Sequence, residues 1–244
     1  MPHFFIQSDC VNDDIITISD KETFHHLVRV LRVKKGEKLL LIDENAIQYE
    51  TVIEHVDSYA LTTKVVERSK SNHILDLQLF LAQSVLKTDA QNMLIQKATE
   101  LGVKGVIPFI SDNSVIKESV VQGKIDKWQK IANEAVKQCE RADTPIIFKH
   151  ETLESILKNP DYTVKIACVE RSQDITLKKY LKSINSKDAK IIVIVGPEGG
   201  FTDKEIALFD QYNIAKVSLG NLILRAETAV INVLSNVIYE LEND

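Results

Sequence analysis

Short apolar stretches alternate with polar turns in the N-terminal part of the chain. Each stretch is rich in β-branched, leucine or aromatic residues, and turns such as KKGE and DENA separate them. Several short strands at this spacing are typical of a small β-barrel. The predicted strands are FFIQ (4–7), DIITIS (14–19), EKLLLID (37–43), QYETVIEHV (48–56) and ALTTKVVE (60–67).

One segment of this part has a helical pattern instead. Between Lys21 and Val33, apolar residues recur at intervals of three or four positions, which predicts one short amphipathic helix. Its opposite face is expected to present Arg29 and Arg32 to solvent. The apolar stripe of this predicted helix consists of Phe24, Leu27, Val28 and Leu31.

Further along the chain, near-continuous apolar runs alternate with helical segments. This pattern indicates a mostly parallel sheet covered by helices on both faces. The polar stretch ERSKSNHILD (67–76) lacks periodicity and is interpreted as a linker. We therefore predict a β-barrel at residues 1–70 and an α/β domain at residues 74–244. The predicted strands of the second domain are LQLFLA (77–82), KGVIPF (104–109), VKIACVE (164–170), KIIVIV (190–195) and AKVSLG (215–220).

Composition narrows the classes of function. The formal net charge of -5 over 244 residues is not typical of a nucleic-acid binder, so any basic face must be local. One local run, from Lys21 to Lys38, is either such a face or an ordinary solvated charge run. The cysteines, Cys10, Cys139 and Cys168, are too scattered for a disulfide framework, and we predict no metal. Neither a signal peptide nor a membrane-spanning run is apparent, which predicts a cytosolic protein.

The stretch VGPEGGFTDKEI (195–206) ends an apolar strand with a glycine-rich loop. Thr202 and Glu205 fit a capping box, which sets the start of the next helix. A strand, a tight loop and a capped helix place backbone groups at the carboxyl end of a parallel sheet, where α/β folds bind ligands. The loop is neither a dinucleotide fingerprint nor a P-loop, and Glu198 would repel phosphate. This favours a ligand with hydroxyls or positive charge; a tight turn without a ligand is the alternative.

A second loop follows the last predicted strand, in SLGNLILRAETA (218–229). Residues 222–224 form an apolar wall, and Glu227 complements the dipole of the following helix. Arg225, between the wall and the helix start, suits an anion or a polarised carbonyl. The two loops together predict a pocket for a flat ring. The last helix is predicted to bury Val230, Val233, Leu234, Val237 and Leu241.

With these two loops the chain resembles the SPOUT methyltransferases, and specifically the RsmE family of 16S ribosomal RNA (uracil-N3) methyltransferases. Three more motifs follow the same family in the same order: HHLVRVLRVKKGE, SVLKTDAQNMLIQKATELGV and WQKIANEAVKQCERADTP. The chain departs from the family pattern at Leu222, where relatives usually carry a second arginine. It also departs at Thr88 and at the pair Lys137 and Gln138.

The resemblance implies an N-terminal PUA-like β-barrel that helps to bind RNA and a C-terminal SPOUT α/β domain with a deep trefoil knot. It implies a homodimer that uses S-adenosyl-L-methionine to methylate N3 of a specific uridine in the 16S rRNA of the small ribosomal subunit. The knot loops are expected after the strand ending near residue 169 and at residues 196–200 and 219–229. The residues that it implies for cofactor binding are Val169, Gly196, Pro197, Glu198, Gly199, Gly200, Leu219, Gly220, Leu224, Arg225, Glu227, Thr228 and Ala229.

The reaction implied by the resemblance requires the uracil N3–H to lose its proton. Arg225 is expected to stabilise the negative charge on a uracil oxygen, and Glu198 and Glu227 are the candidates for the general base. The alternatives are a SPOUT methyltransferase acting on another ribosomal or transfer RNA position and a non-catalytic ribosome assembly factor. A dinucleotide-dependent oxidoreductase is disfavoured because the fingerprint is absent. The residues expected to contact RNA phosphates are Arg29, Arg32, Lys34 and Lys35.

Overall fold

The computed structural model describes residues 3–71, 73–170, 175–184 and 188–242. The chain forms two compact units. The N-terminal unit comprises Met1–Ile74 and Val136–Asp143, and the C-terminal unit comprises Leu75–Ala135 and Thr144–Asp244. Within the described ranges, no helix has the length and apolar content needed to cross a membrane.

The N-terminal unit contains a six-stranded sheet in the order β1-β4-β5-β6-β3-β2. The pair β1 and β4 is parallel and the other pairs are antiparallel. Alternate residues of the strands, such as Leu39 and Leu41, are fully buried in one core. The five strands predicted for this part of the chain are confirmed. The bounds are β1 His3–Phe5, β2 Val11–Asn12, β3 Ile15–Ile18, β4 Lys38–Ile42, β5 Ile47–Val56 and β6 Leu61–Lys70.

The linker predicted at residues 67–76 is wrong over its first four residues, which belong to β6. Strand β5 begins at Ile47, and its backbone pairs with β6 as far as Lys70. The register of this pairing shifts between Glu50 and Thr51 and again between Ile53 and His55. Backbone pairing with a long neighbouring strand therefore outweighs the polar side chains of residues 67–70.

The predicted helix from Lys21 to Val33 is shorter and less regular than expected. Helix α1 (Lys21–His25) is capped by Asp20, whose side chain accepts a hydrogen bond from the Thr23 amide at 2.7 Å. A single π-helical turn (His26–Val30) follows and ends the helix. The extra residue in this turn rotates the later side chains away from the predicted stripe. The prediction for Leu31 is therefore wrong: it is 44% exposed, and Val33 packs on the core instead.

The C-terminal unit contains a seven-stranded sheet in the order β11-β13-β10-β12-β7-β8-β9. Every neighbouring pair is parallel. The five strands predicted here are confirmed, and two strands of two residues each, at the sheet edges, went unpredicted. The bounds are β7 Gln78–Ser84, β8 Gly105–Phe109, β9 Ile146–Ile147, β10 Val164–Cys168, β11 Ile175–Thr176, β12 Lys190–Val195 and β13 Ala215–Ser218.

Helices cover both faces of this sheet. In β12, Ile191, Val193 and Val195 point into one core cluster, while Ile192 and Ile194 point into another. The first cluster includes the buried residues of α2 and α8, and the second those of α5 and α7. The helices are α2 Thr88–Glu100, α3 Glu118–Gln122, α4 Ile125–Cys139, α5 Leu153–Lys158, α6 Leu177–Leu181, α7 Asp203–Gln211 and α8 Ala226–Leu241.

Candidate functional site

Four neighbouring strands of the C-terminal unit end beside one cavity. Because β13, β10, β12 and β7 are adjacent and parallel, their carboxyl ends lie at the same edge of the sheet. A cavity of about 1030 Å³ lies there, and the segment after each of the four strands contributes to its wall. This is the usual place for a ligand in an open parallel sheet.

The glycine-rich loop after β12 forms one wall of the cavity. The chain turns tightly here, since the Gly200 amide donates a hydrogen bond to the Pro197 carbonyl at 3.0 Å. Gly200 has a φ of 69°, a left-handed conformation that favours glycine. Gly196 and Pro197 are buried, whereas Glu198 is exposed. The loop thus presents its carboxylate outward while its first residues pack inside.

The helix after this loop starts where the sequence predicted. The Thr202 side chain accepts from the Glu205 amide, and the Glu205 carboxylate accepts from the Thr202 amide at 2.8 Å, so the capping box is confirmed. Glu205 is buried and also accepts a hydrogen bond from the Asp112 amide at 3.2 Å. The ring of Phe201 packs edge-on against Phe209, with centroids 4.9 Å apart. These contacts fix the exit of the loop.

Two amide side chains hold the same loop from outside it, and sequence reasoning missed both. Gln83 is fully buried at the end of β7, and its Nε2 donates to the Gly196 carbonyl at 3.2 Å. Asn113, in the segment after β8, donates through Nδ2 to the carbonyls of Gly199 and Gly200, each at 3.2 Å. Of the two, Gln83 alone could have been suspected from the sequence, because it is a polar residue inside an apolar strand.

The loop after β13 forms the facing wall. Gly220 has a φ of 128°, and its amide donates to the Ser218 hydroxyl at 3.2 Å. The apolar residues that follow are open to solvent, with Leu222 80% and Ile223 58% exposed. Arg225 lies at the N-cap of α8, where its carbonyl accepts from the Ala229 amide at 2.8 Å and its side chain is exposed. An exposed guanidinium is therefore placed at the positive end of a helix dipole.

Among the described residues of the cavity wall, carboxylates outnumber cations. The charged residues in its wall are the cations Lys87 and Arg225 and the carboxylates Asp89, Glu170, Glu198 and Glu227. This excess of negative charge suits a cationic ligand and disfavours a phosphate. Burial raises the pKa of the Cys168 thiol to about 12, so this cavity residue is protonated at neutral pH and is not an activated nucleophile. Among the described residues, no group of His, Cys, Asp and Glu side chains is arranged to hold a metal ion.

Two protein-family models match this chain. Residues 73–238 match the family model for an RNA methyltransferase domain, and residues 18–66 match that for an RNA methyltransferase PUA domain. A ribosomal RNA small subunit methyltransferase E from Rickettsia conorii is 30% identical over 234 residues, which are 96% of this chain and 93% of that protein. This chain belongs to the ribosomal RNA small subunit methyltransferase E family.

The likeness to the methyltransferase E family extends over both units. The ribosomal RNA small subunit methyltransferase E of Bacillus subtilis is 28% identical over 227 residues, with 91% of this chain and 89% of that protein covered. A Legionella pneumophila protein solved with the bound cofactor SAM is 25% identical, with a TM-score of 0.83, and the match covers 100% of this chain and 99% of that one. The predicted architecture, a PUA-like domain followed by a parallel-sheet methyltransferase domain, is confirmed.

The structure brings most of the residues predicted from the methyltransferase E resemblance to one cavity. The three candidate catalytic residues, Arg225, Glu198 and Glu227, all line it, although their roles stay predictions. Two predicted cofactor residues do not: Gly199 packs against Asn113, and Thr228 is exposed on α8. The predicted cofactor residues in the wall are Val169, Gly196, Pro197, Glu198, Gly200, Leu219, Gly220, Leu224, Arg225, Glu227 and Ala229.

One segment of the cavity wall was not predicted from the sequence to belong to the site. Residues 87–90, at the start of α2, line the cavity with the side chains of Lys87 and Asp89 exposed. The four residues predicted to contact RNA are exposed on the N-terminal unit; they are Arg29, Arg32, Lys34 and Lys35.

Proposed function

We propose that this protein transfers the methyl group of S-adenosyl-L-methionine to N3 of a specific uridine in the 16S rRNA of the small ribosomal subunit. The observation that carries the proposal is the cavity at the carboxyl ends of four parallel strands, with two glycine loops and, among its described residues, an excess of carboxylates. Membership of the methyltransferase E family supports the same reaction. The sulfonium supplies an activated methyl group and leaves as a neutral thioether.

The residues of the cavity fit this cofactor. Its volume of about 1030 Å³ is enough for a ligand of this size together with part of a nucleotide. Apolar side chains of Val169, Leu219 and Leu224 in the wall suit an adenine ring, and the backbone at Gly220 is open to close approach. The carboxylates would balance the positive sulfonium. We therefore assign cofactor binding to the loops after β10, β12 and β13.

Methylation at uracil N3 requires that nitrogen to lose its proton before or as it takes up the methyl group. The exposed guanidinium of Arg225 would hold the negative charge that then spreads onto a uracil oxygen. The proton would pass to a carboxylate of the same cavity, and Glu198 and Glu227 are the candidates. Holding base and methyl donor in line within one cavity would supply much of the remaining acceleration.

The proposed substrate also requires an RNA-binding surface. The exposed cations of the N-terminal unit would bind phosphates, and the match to an RNA methyltransferase PUA domain supports this role. We also propose that the protein acts as a homodimer, since one small PUA domain covers little RNA.

The decisive experiment incubates the protein with labelled S-adenosylmethionine and small ribosomal subunits that lack the modification, and then maps the labelled nucleotide. We expect label at N3 of one uridine in 16S rRNA. Label at another position, or in transfer RNA added as a competitor, would contradict the proposed specificity while leaving methyl transfer intact. If no RNA were labelled and calorimetry showed no cofactor binding, the proposal that this protein transfers the methyl group of S-adenosylmethionine would be contradicted.

Replacing Asn113 with alanine is expected to weaken S-adenosylmethionine binding by roughly three- to tenfold, because the variant loses the hydrogen bonds to the Gly199 and Gly200 carbonyls. Calorimetry measures this affinity. The melting temperature should stay close to that of the wild type, since Asn113 is exposed. Asn133→Ala removes an exposed amide from α4 and serves as the control. An unchanged affinity in Asn113→Ala would show that this side chain does not position the loop.

Replacing Lys34 and Lys35 with alanine is expected to weaken RNA binding at low salt and to flatten its salt dependence. Each lost phosphate contact should lower the slope of log K against log salt concentration by about 0.7 for single-stranded RNA. The matched control is Lys64→Ala with Lys70→Ala, which removes two exposed lysines from β6 in the same unit. If the slope of log K against log salt concentration changed equally in both double variants, Lys34 and Lys35 would not be specific RNA contacts.

A further inference from the structure

Two neighbouring apolar side chains stand exposed in the middle of a basic segment. Val30 is 59% exposed and Leu31 is 44% exposed, although the apolar residues that precede them in α1 and the π-helical turn pack on the core. Single exposed apolar residues are ordinary on protein surfaces. Val30 and Leu31 are adjacent in sequence and lie between Arg29 and Arg32, so they form an apolar tip flanked by two cations. We call Val30 and Leu31 the wedge.

The backbone holds the wedge outward by an irregular path. The Leu31 amide bonds to the His26 carbonyl at 2.9 Å, and the Val33 amide bonds to the Leu27 carbonyl at 3.1 Å. Arg32 has a φ of 54°, which is uncommon for a residue with a long side chain. A regular helix would have carried Leu31 onto the buried stripe. Unusual backbone of this kind clusters at functional sites.

The base of this projection is firmly attached. Leu27 is fully buried, and Val28 and Val33 pack against the same core. The ring of His26 lies edge-on to Phe4, with centroids 5.6 Å apart. The wedge is therefore carried by an anchored turn, so its position is defined before any partner binds.

The charges around the wedge favour a polyanion as its partner. The segment from Lys21 to Lys38 carries six cations and two carboxylates in a chain whose net charge is -5. One of those carboxylates, Glu22, is paired with Lys137 at 3.2 Å. Apolar side chains flanked by arginine and lysine are the means by which proteins part stacked bases while they bind the phosphates.

We infer that the wedge inserts against the faces of unpaired RNA bases, while Arg29 and Arg32 bind the phosphates on either side. The inference rests on the proposed function, which supplies an RNA substrate. It adds that the N-terminal unit recognises unpaired, separable bases in preference to regular duplex. Because N3 lies on the Watson–Crick edge of uracil, a substrate modified at that atom must itself offer unpaired bases. Single-stranded loops are also the RNA elements whose bases are open to such contacts.

The test compares two double variants on two RNA probes. Val30→Ser with Leu31→Ser removes the wedge, and Val56→Ser with Val66→Ser is the matched control, since these valines are also exposed in the N-terminal unit. One probe is an RNA hairpin with 2-aminopurine in its loop, and the other is a blunt RNA duplex of the same length. Fluorescence anisotropy at several salt concentrations gives the affinity, and 2-aminopurine emission reports unstacking.

We expect the wedge variant to bind the hairpin about tenfold more weakly than the wild type. Its slope of log K against log salt concentration should be unchanged, because no phosphate contact is lost. Binding of the duplex should be unaffected, and the rise in 2-aminopurine emission seen with the wild type should disappear. The control variant should behave as the wild type in each measurement.

Other outcomes overturn the inference. Equal losses on hairpin and duplex would make the segment a general phosphate-binding surface. Unchanged hairpin affinity, with an altered sedimentation coefficient of the free protein, would make the wedge a contact between protein chains. Neither binding measurement depends on methyl transfer. A wedge effect without methylated 16S rRNA would therefore contradict the proposed function alone, and methylated 16S rRNA without a wedge effect would contradict this inference alone.

Discussion

Replacing Arg225 with alanine is expected to lower the single-turnover rate of methyl transfer by about 100- to 1000-fold, the usual cost of removing one donor that stabilises developing negative charge. The side chain lines the cavity from the N-cap of α8, so it acts together with the positive end of that helix. The backbone of Arg225 needs no particular side chain to start the helix, since no side-chain cap bond is made there. The loss should therefore be one of charge, with the fold retained.

Rapid-quench measurement with labelled S-adenosylmethionine and unmodified small subunits gives this rate. Calorimetry on the same variant verifies that the cofactor still binds. Raising the pH should increase the single-turnover rate of Arg225→Ala more than that of the wild type, because a larger fraction of uracil is then ionised without help from the protein. Arg225→Lys keeps the positive charge but lacks the planar guanidinium. Its single-turnover rate should therefore lie between those of the wild type and Arg225→Ala. A near-normal single-turnover rate for Arg225→Ala with cofactor bound would exclude the proposed role.

Replacing Phe209 with alanine is expected to lower the free energy of unfolding by about 3–5 kcal/mol. Phe209 is fully buried in the cluster beneath α7 and packs edge-on against Phe201. The Phe201 ring in turn lies under the glycine-rich loop after β12, where a side-chain carbon added at Gly196 would be only 3.2 Å from it. Loss of the Phe209 ring should therefore destabilise the unit and also loosen the loop.

Urea denaturation measures the stability of this variant, and calorimetry measures its cofactor affinity. Phe209→Leu keeps most of the buried volume and should lose less stability. Lys204→Ala changes an exposed residue of the same helix and should stay within about 0.5 kcal/mol of the wild type. If Phe209→Ala were destabilised but bound the cofactor normally, Phe209 would support the fold without positioning the loop.

Much of the C-terminal unit followed from the sequence, because its patterns are local and strong. The predicted buried face of α8, from Val230 to Leu241, is buried as expected. The carboxyl ends of successive parallel strands meet by necessity, so the two loops could be placed in one pocket before the fold was known.

The features that sequence reasoning missed depend on tertiary contacts. The bonds of Gln83 and Asn113 to the glycine-rich loop after β12 join residues distant in sequence, and periodicity says nothing about them. The π-helical turn that exposes Leu31 breaks the 3.6-residue period on which the prediction was based. Strands of two residues, such as β9 and β11, are too short to leave a pattern. The trefoil knot came from the resemblance alone and stays a prediction.

The wall of the cavity is assembled from segments that begin at Lys87 and end at Ala229. During synthesis, a chain that has not yet reached the last of these residues lacks one side of the site, however well its earlier strands have folded. Ligand affinity consequently requires the segment from β13 to the start of α8, which is the last part of the wall to be synthesised. Binding to the folded form alone also stabilises it. The nascent enzyme would thus remain silent until its fold is complete, and its ligand would then help to keep it folded.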